Sequence, residues 1–113
     1  MSTQTPSSTE SPLPLPFVVT PALAGDVLTI AIAGELDIAT VDLLEAAQRS
    51  AQGSYQALRY ELAALSFMDS AGLRALLAPA NKNAPIGEIS IASPTRAVRR
   101  LLELRDLQDM VVC

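Results

Sequence analysis

The chain has 113 residues, half of them hydrophobic, with 12 acidic against 8 basic side chains and a net charge of −4. That length supports one domain with a real core, and the mildly acidic balance argues against non-specific nucleic-acid binding, which relies on a basic face. There is no histidine, one cysteine (Cys113, the last residue) and one lysine (Lys82), which excludes Ser-His-Asp and Cys-His catalysis, an intramolecular disulfide, a His- or Cys-based zinc site and P-loop chemistry.

Residues 1–16 are dominated by Ser, Thr and Pro and read as a disordered tail, because so few apolar anchors cannot offset the entropy of ordering. Pro12-Leu13-Pro14-Leu15-Pro16 is a spacer or a short polyproline II ligand. No charged and apolar leader opens the chain, and no apolar run approaches the roughly 18 residues that span a bilayer. A cytoplasmic protein with neither membrane nor nucleic-acid partners is expected.

The domain is expected over 17–113. Residues 17–20 and 27–33 are β-type runs separated by Pro21 and Gly25-Asp26, which reads as an antiparallel pair. The second run is apolar on both faces, as in a strand covered on two sides, and Gly34 is expected to end it. A helix follows over 38–52, with Val41, Leu44 and Ala47 or Gln48 on one stripe, Asp37 as N-cap and Gly53 as stop. Residues 58–62 alternate like a strand. A second helix begins near Ser70 with Leu73, Leu76 and Leu77 inward. Pro79 should kink or end it, since proline removes a backbone donor and clashes with the preceding turn. Asn81 to Pro85 is loop, and 88–92 is a third core strand. Ser93 then caps a helix with Pro94 at its first position, and Ala97, Val98, Leu101 and Leu102 face inward. Residues 110–112 form a short last strand. The order β-β-α-β-α-β-α-β predicts an α/β fold with a mixed sheet of four to five strands and about three helices.

The densest motif is Leu65-Ser66-Phe67-Met68-Asp69-Ser70-Ala71-Gly72-Leu73. It places Asp69 and Ser70 at a strand-to-helix connection, where a phosphate on Ser70 would meet free N–H groups and the positive end of the helix dipole. Gly34-Glu35-Leu36-Asp37 is a second polar break after a strand, and Asp37 should lie near Ser70 if both loops leave the same sheet edge. Each residue also has a plain structural reading. Ser70, Asp69 and Asp37 are ordinary cap or turn residues, and Gly72 is a small residue in a first turn. Arg96, Arg99 and Arg100 form a basic cluster that reads as a solvated helix face or, as the alternative, a charged rim for a partner. A carboxylate enzyme built on Asp37 and Asp69 finds no metal, phosphate loop or pocket in the pattern.

These motifs, together with Ser93-Pro94 followed by Val98, Arg100 and Leu101, resemble the STAS domain over residues 17–112, and more closely the bacterial anti-sigma factor antagonists. The resemblance implies a protein without catalytic residues, metal or cofactor of its own. Unmodified, it would bind an anti-sigma factor that is a serine kinase of the GHKL type, releasing a sigma factor. Phosphorylation of Ser70 by that kinase would end binding, and a phosphatase would reset it. The implied partner-binding residues are Glu35, Asp37, Asp69, Ser70, Ala71 and Gly72, on a monomer. Ala71 stands where many members carry a second hydroxyl, and Glu61 where many carry Asp. The last family helix is missing after Cys113, so the chain is expected to be naturally short or truncated. The same domain also serves stressosome-like, lipid-transport and ligand-sensing assemblies.

Overall fold

Strand β2, Val27–Leu36, organises the sheet. The computed structural model describes residues 16–51, 55–81 and 88–112, so the expected tail up to residue 15, the expected stop at Gly53, the expected loop beyond Asn81 and Cys113 lie outside the described residues. Strand β1, Val18–Ala24, pairs antiparallel with β2 across the turn at Gly25. Strand β3, Ala57–Glu61, pairs parallel with the first half of β2, and β5, Glu88–Ala92, pairs parallel with β3. A four-residue strand β4, Leu65–Met68, pairs parallel with the last residues of β2. The helices are α1, Val41–Ser50, α2, Ser70–Leu77, and α3, Arg96–Leu104. The expected mixed α/β architecture is the one observed.

Several local expectations are corrected. Pro21 does not break the first strand but lies inside β1, opposite Ile30. An edge strand can hold a proline because one of its sides needs no donor. Gly34 does not end β2. It adopts φ 101° at a register shift between the β3 and β4 halves, and the strand runs on to Leu36. Its N–H donates to the Ala64 carbonyl, and a Cβ there would come within 3.0 Å of Phe17 Cα and the Pro16 carbonyl. Strand β4 was not anticipated, because four residues are too few to show a period. The last expected strand shrinks to one bridge, Val111 to Ile91, after a 3-10 turn over Gln108–Met110.

Among the described residues the helices cover only one face of the sheet, contrary to the reading of β2 as buried on both sides. Leu28, Ile30 and Ile32 are buried, and register aligns Leu28 with Leu58 and Ile30 with Tyr60. Leu44 of α1, Leu73 and Leu76 of α2, and Val98 and Leu102 of α3 join the same cluster. Burying each such side chain stabilises by about 1.5–3 kcal/mol. The intervening Thr29, Ala31 and Ala33 are only half-buried. On α3, Val98 and Leu102 point inward and Leu101 is half-buried, whereas Ala97 is exposed.

Pro79 ends α2 as expected, the chain passing into a 3-10 turn over Ala78–Asn81. The consequence is a polar knot under the sheet. Proline has no N–H to return to the carbonyl of Ala75. That carbonyl instead accepts from Gln48 Nε2 at 3.0 Å and from the Ala78 N–H. Gln48 also donates to the Tyr60 hydroxyl at 2.9 Å, and that hydroxyl donates to the Leu76 carbonyl at 2.7 Å. One buried phenol thereby ties β3 and α1 to the last turn of α2, where backbone acceptors lack helical partners.

Helix α3 starts at Arg96 behind Thr95, two residues after the expected Ser93 cap. Ser93 is instead a positive-φ bend at 55°, and the Thr95 hydroxyl donates to the Leu65 carbonyl at 2.7 Å, fixing α3 to β4. At the other end, Leu107 N–H donates to the Leu102 carbonyl at 2.8 Å and Asp106 N–H to that of Glu103 at 3.1 Å, with Asp106 at φ 62°. This is a Schellman cap, with Asp in the left-handed position that glycine usually takes.

Candidate functional site

The two polar breaks read from the sequence meet at one end of the sheet. Leu36 closes β2 and its carbonyl accepts the Asp69 N–H at 3.2 Å. Residue 37 and residue 70 thus each follow a member of one backbone hydrogen bond, which realises the expected proximity of the two loops.

Asp69 is the N-cap of α2. Its extended backbone turns Oδ1 onto the Gly72 N–H at 2.8 Å, filling one of the helix's orphan donors. The cap role is therefore held by Asp69, and Ser70 occupies the first helical position rather than the cap. Ser70 is half-buried, and its Oγ accepts from Arg105 Nη2 at 2.6 Å. Gly72 is buried because α2 sits directly on β2. A Cβ there would lie 2.6 Å from the Leu36 carbonyl oxygen and 2.8 Å from Leu36 Cγ.

Asp37 does not cap α1. The helix begins at Val41, and Asp37 Oδ1 accepts the Ala39 N–H at 2.9 Å in an Asx turn. Its carbonyl accepts from the N–H groups of both Thr40 and Val41. Thr40, overlooked in the sequence, locks this loop: its hydroxyl donates to the Glu35 carbonyl at 2.8 Å and accepts the Asp37 N–H at 3.0 Å. Glu35 itself is exposed, on the last stretch of β2 opposite Phe67.

Ala71 borders a surface groove of about 500 Å³ between α1 and α2, lined also by Ile38, Val41, Glu45, Arg74 and Ala75. Ile38 is 78% exposed, the highest value among the exposed large hydrophobic residues. Ile38 and Ala71 thus face the same groove, one residue after Asp37 and one after Ser70 respectively. Sequence reasoning missed Ile38, Thr40 and Arg105. The Asp37-Ile38 pair was the available sign for the first, an apolar residue just past a turn. Arg105 gave no sign at all, since its link to Ser70 spans 35 residues. Arg96, Arg99 and Arg100 are exposed. Among the described residues no group of three His, Cys, Asp or Glu side chains is placed to hold a metal ion, and no helix is long and apolar enough to cross a membrane.

The family model described as Mlab, STAS domain matches residues 19–112. The chain belongs to the STAS family. Its expected fold and motif order are those of that family. This STAS chain is similar to a solved anti-sigma factor antagonist from Mycobacterium paratuberculosis, at 26% identity and TM-score 0.74, covering 88% of this chain and 87% of that one. It is also similar to the anti-sigma factor antagonist SpoIIAA in its unphosphorylated form, at 25% identity and TM-score 0.72, covering 86% of each chain. The murine Slc26a9 anion transporter shares the fold, at 16% identity and TM-score 0.63, over 78% of this chain and 16% of that much longer one. Among curated proteins none matches.

Proposed function

We propose that this STAS protein is an anti-sigma factor antagonist switched by phosphorylation of Ser70. The observation that carries the reading is Ser70 itself. Its hydroxyl sits at the first position of α2, beside Asp69 and one residue before Ala71 of the groove, in a chain similar to two anti-sigma factor antagonists over most of its length. The unmodified protein binds a GHKL-type anti-sigma kinase through Glu35, Asp37, Ile38 and the start of α2, and so releases a sigma factor. The kinase transfers phosphate to Ser70, and a phosphatase removes it. The protein is then the substrate and ligand of enzymes rather than an enzyme, and it acts in the cytoplasm.

The physics of the switch is local. A phosphoryl group adds about −1.5 to −2 charges. Near a helix N-terminus that charge is tolerated, so the fold persists. A partner surface fitted to a neutral hydroxyl instead meets bulk, desolvation and repulsion. A 100-fold loss of affinity corresponds to roughly 2.7 kcal/mol, within reach of one poorly matched charge.

Intact mass after incubation with Mg-ATP and each candidate anti-sigma kinase tests this directly. One added phosphate on the wild type, absent from Ser70→Ala, is expected. Equal kinase binding by wild type and Ser70→Asp would sink the reading. The STAS fold, which an anion transporter shares, leaves a second reading, a STAS module of another assembly such as a lipid-transport one. Co-purification with transport proteins and with no kinase is its signature.

A further inference from the structure

Arg105 presents an unusual pairing. It is an exposed cation on the C-terminal cap of α3, and its guanidinium rests on a neutral hydroxyl, Ser70 Oγ, at 2.6 Å. No carboxylate among the described residues pairs with it. The carboxylate of Asp69, one residue from Ser70, is turned instead onto the Gly72 N–H. The backbone beneath Arg105 is held in place. Its N–H donates to the carbonyls of Leu101 and Leu102, and the Schellman cap anchors the next residues through Leu107, which packs on the core containing Leu102 and Leu73. The arginine is thus carried to the switch by a braced turn.

We infer that Arg105 is a positioning residue for phosphorylated Ser70, clamping the phosphoryl group and prolonging the modified state. The inference rests on the reading of Ser70 as the phospho-acceptor. In that transfer Ser70 Oγ bonds to the γ-phosphorus of Mg-ATP and the bond from that phosphorus to the β,γ-bridging oxygen breaks. ADP leaves with the electron pair, and the hydroxyl proton passes to a base on the kinase. Arg105 takes no part in the bond changes. It exchanges a neutral acceptor for a group carrying nearly two charges and three acceptor oxygens. Charge-assisted arginine–phosphate bonds are roughly twice as strong as neutral ones and are often bidentate. The clamp draws the α3 cap against the start of α2 and leaves less of the phosphorus open to an attacking nucleophile.

The experiment installs phosphoserine at position 70 of the full chain by genetic code expansion, with Arg105, Arg105→Lys or Arg105→Gln. Two quantities are read: the second pKa of the phosphate by phosphorus NMR, and the rate of removal by a non-specific alkaline phosphatase. With Arg105 the second pKa is expected below the ordinary value of about 6, and Arg105→Gln should raise it by at least about half a unit. Removal should be about threefold faster in Arg105→Gln, the effect expected of a partly exposed ion pair. Arg105→Lys should fall between, keeping charge but losing the fork. Equal pKa values and rates in all three proteins overturn the inference. Melting curves of the same samples check the fold, and Arg105→Lys decides if Arg105→Gln is destabilised. Because the phosphate is installed, the outcome is independent of whether any kinase modifies Ser70, which the mass measurement above settles separately.

Discussion

The carbonyl oxygen of Leu36 occupies the space that a side chain on Gly72 would need. It lies 2.6 Å from the ideal Cβ position there, and the same oxygen accepts the Asp69 N–H. The last residue of β2 therefore sets both the start of α2 and its closeness to the sheet, and with them the position of Ser70.

Gly72→Ala should destabilise the protein by about 1–3 kcal/mol, the usual cost of overpacking. Helix propensity alone would favour alanine by up to about 1 kcal/mol. The two effects oppose, and contact with backbone, which cannot rotate away, decides the sign. Urea titration of both proteins checks it. A more stable variant would show that α2 moves off β2 freely.

Asp69→Ala removes the side chain that fills the Gly72 N–H. A stability loss of about 0.5–2 kcal/mol is expected, with Asp69→Asn retaining most of the wild-type value because its amide oxygen can cap equally well. Thermal melts of the three proteins separate this cap role from a contact with a kinase. Only the latter makes Asp69→Asn bind poorly at normal stability.

Tyr60 is fully buried, and burial pushes its phenol well above the ordinary value of 10.0, more than the Gln48 hydrogen bond pulls it down. The folded state thus holds its proton where the unfolded chain gives it up. Stability from this group is complete below pH 10 and falls as pH rises past it. Tyr60→Phe should lower stability at neutral pH by about 1–2 kcal/mol, through the unfilled Leu76 carbonyl. It should also flatten the alkaline decline. Denaturation followed at pH 7 and at pH 11 distinguishes the two effects, and parallel declines in both proteins would contradict the assignment.

Ile38→Asp should leave stability within about 0.5 kcal/mol, as expected for an exposed residue. It should weaken binding to the anti-sigma kinase at least about tenfold, or roughly 1.4 kcal/mol. Calorimetry with the kinase identified by mass spectrometry measures this. Unchanged affinity would move the docking surface away from the groove.

Much of this was legible along the chain. Alternation and turn residues located the β1–β2 hairpin, β3 and β5, and of the expected apolar stripes Leu44, Leu73 and Leu76 are buried while Val41 and Leu77 are half-buried. Pro79 ended its helix for the covalent reason that proline lacks a donor. The Asp69-Ser70-Ala71-Gly72 motif located the start of α2 because cap and first-turn chemistry is local. Boundaries failed where a distant partner intervened. Gly34 reads as a terminator, yet β2 runs on because β4 pairs with its end. Ser93 reads as a cap, yet Thr95 takes the position and spends its hydroxyl on Leu65.

What the sequence alone determined is an α/β chain without imidazole chemistry, carrying a serine beside an aspartate at a strand-to-helix connection. These follow from composition and from interactions within a few residues. Tertiary structure decided that the helices among the described residues cover one sheet face, that Gly72 is sterically required rather than merely tolerated, that Ile38 stands bare beside Asp37, and that Arg105 reaches Ser70. Each depends on two segments far apart in the chain arriving at one place. Local propensities carry no record of such a meeting, because it is fixed by packing of the whole core.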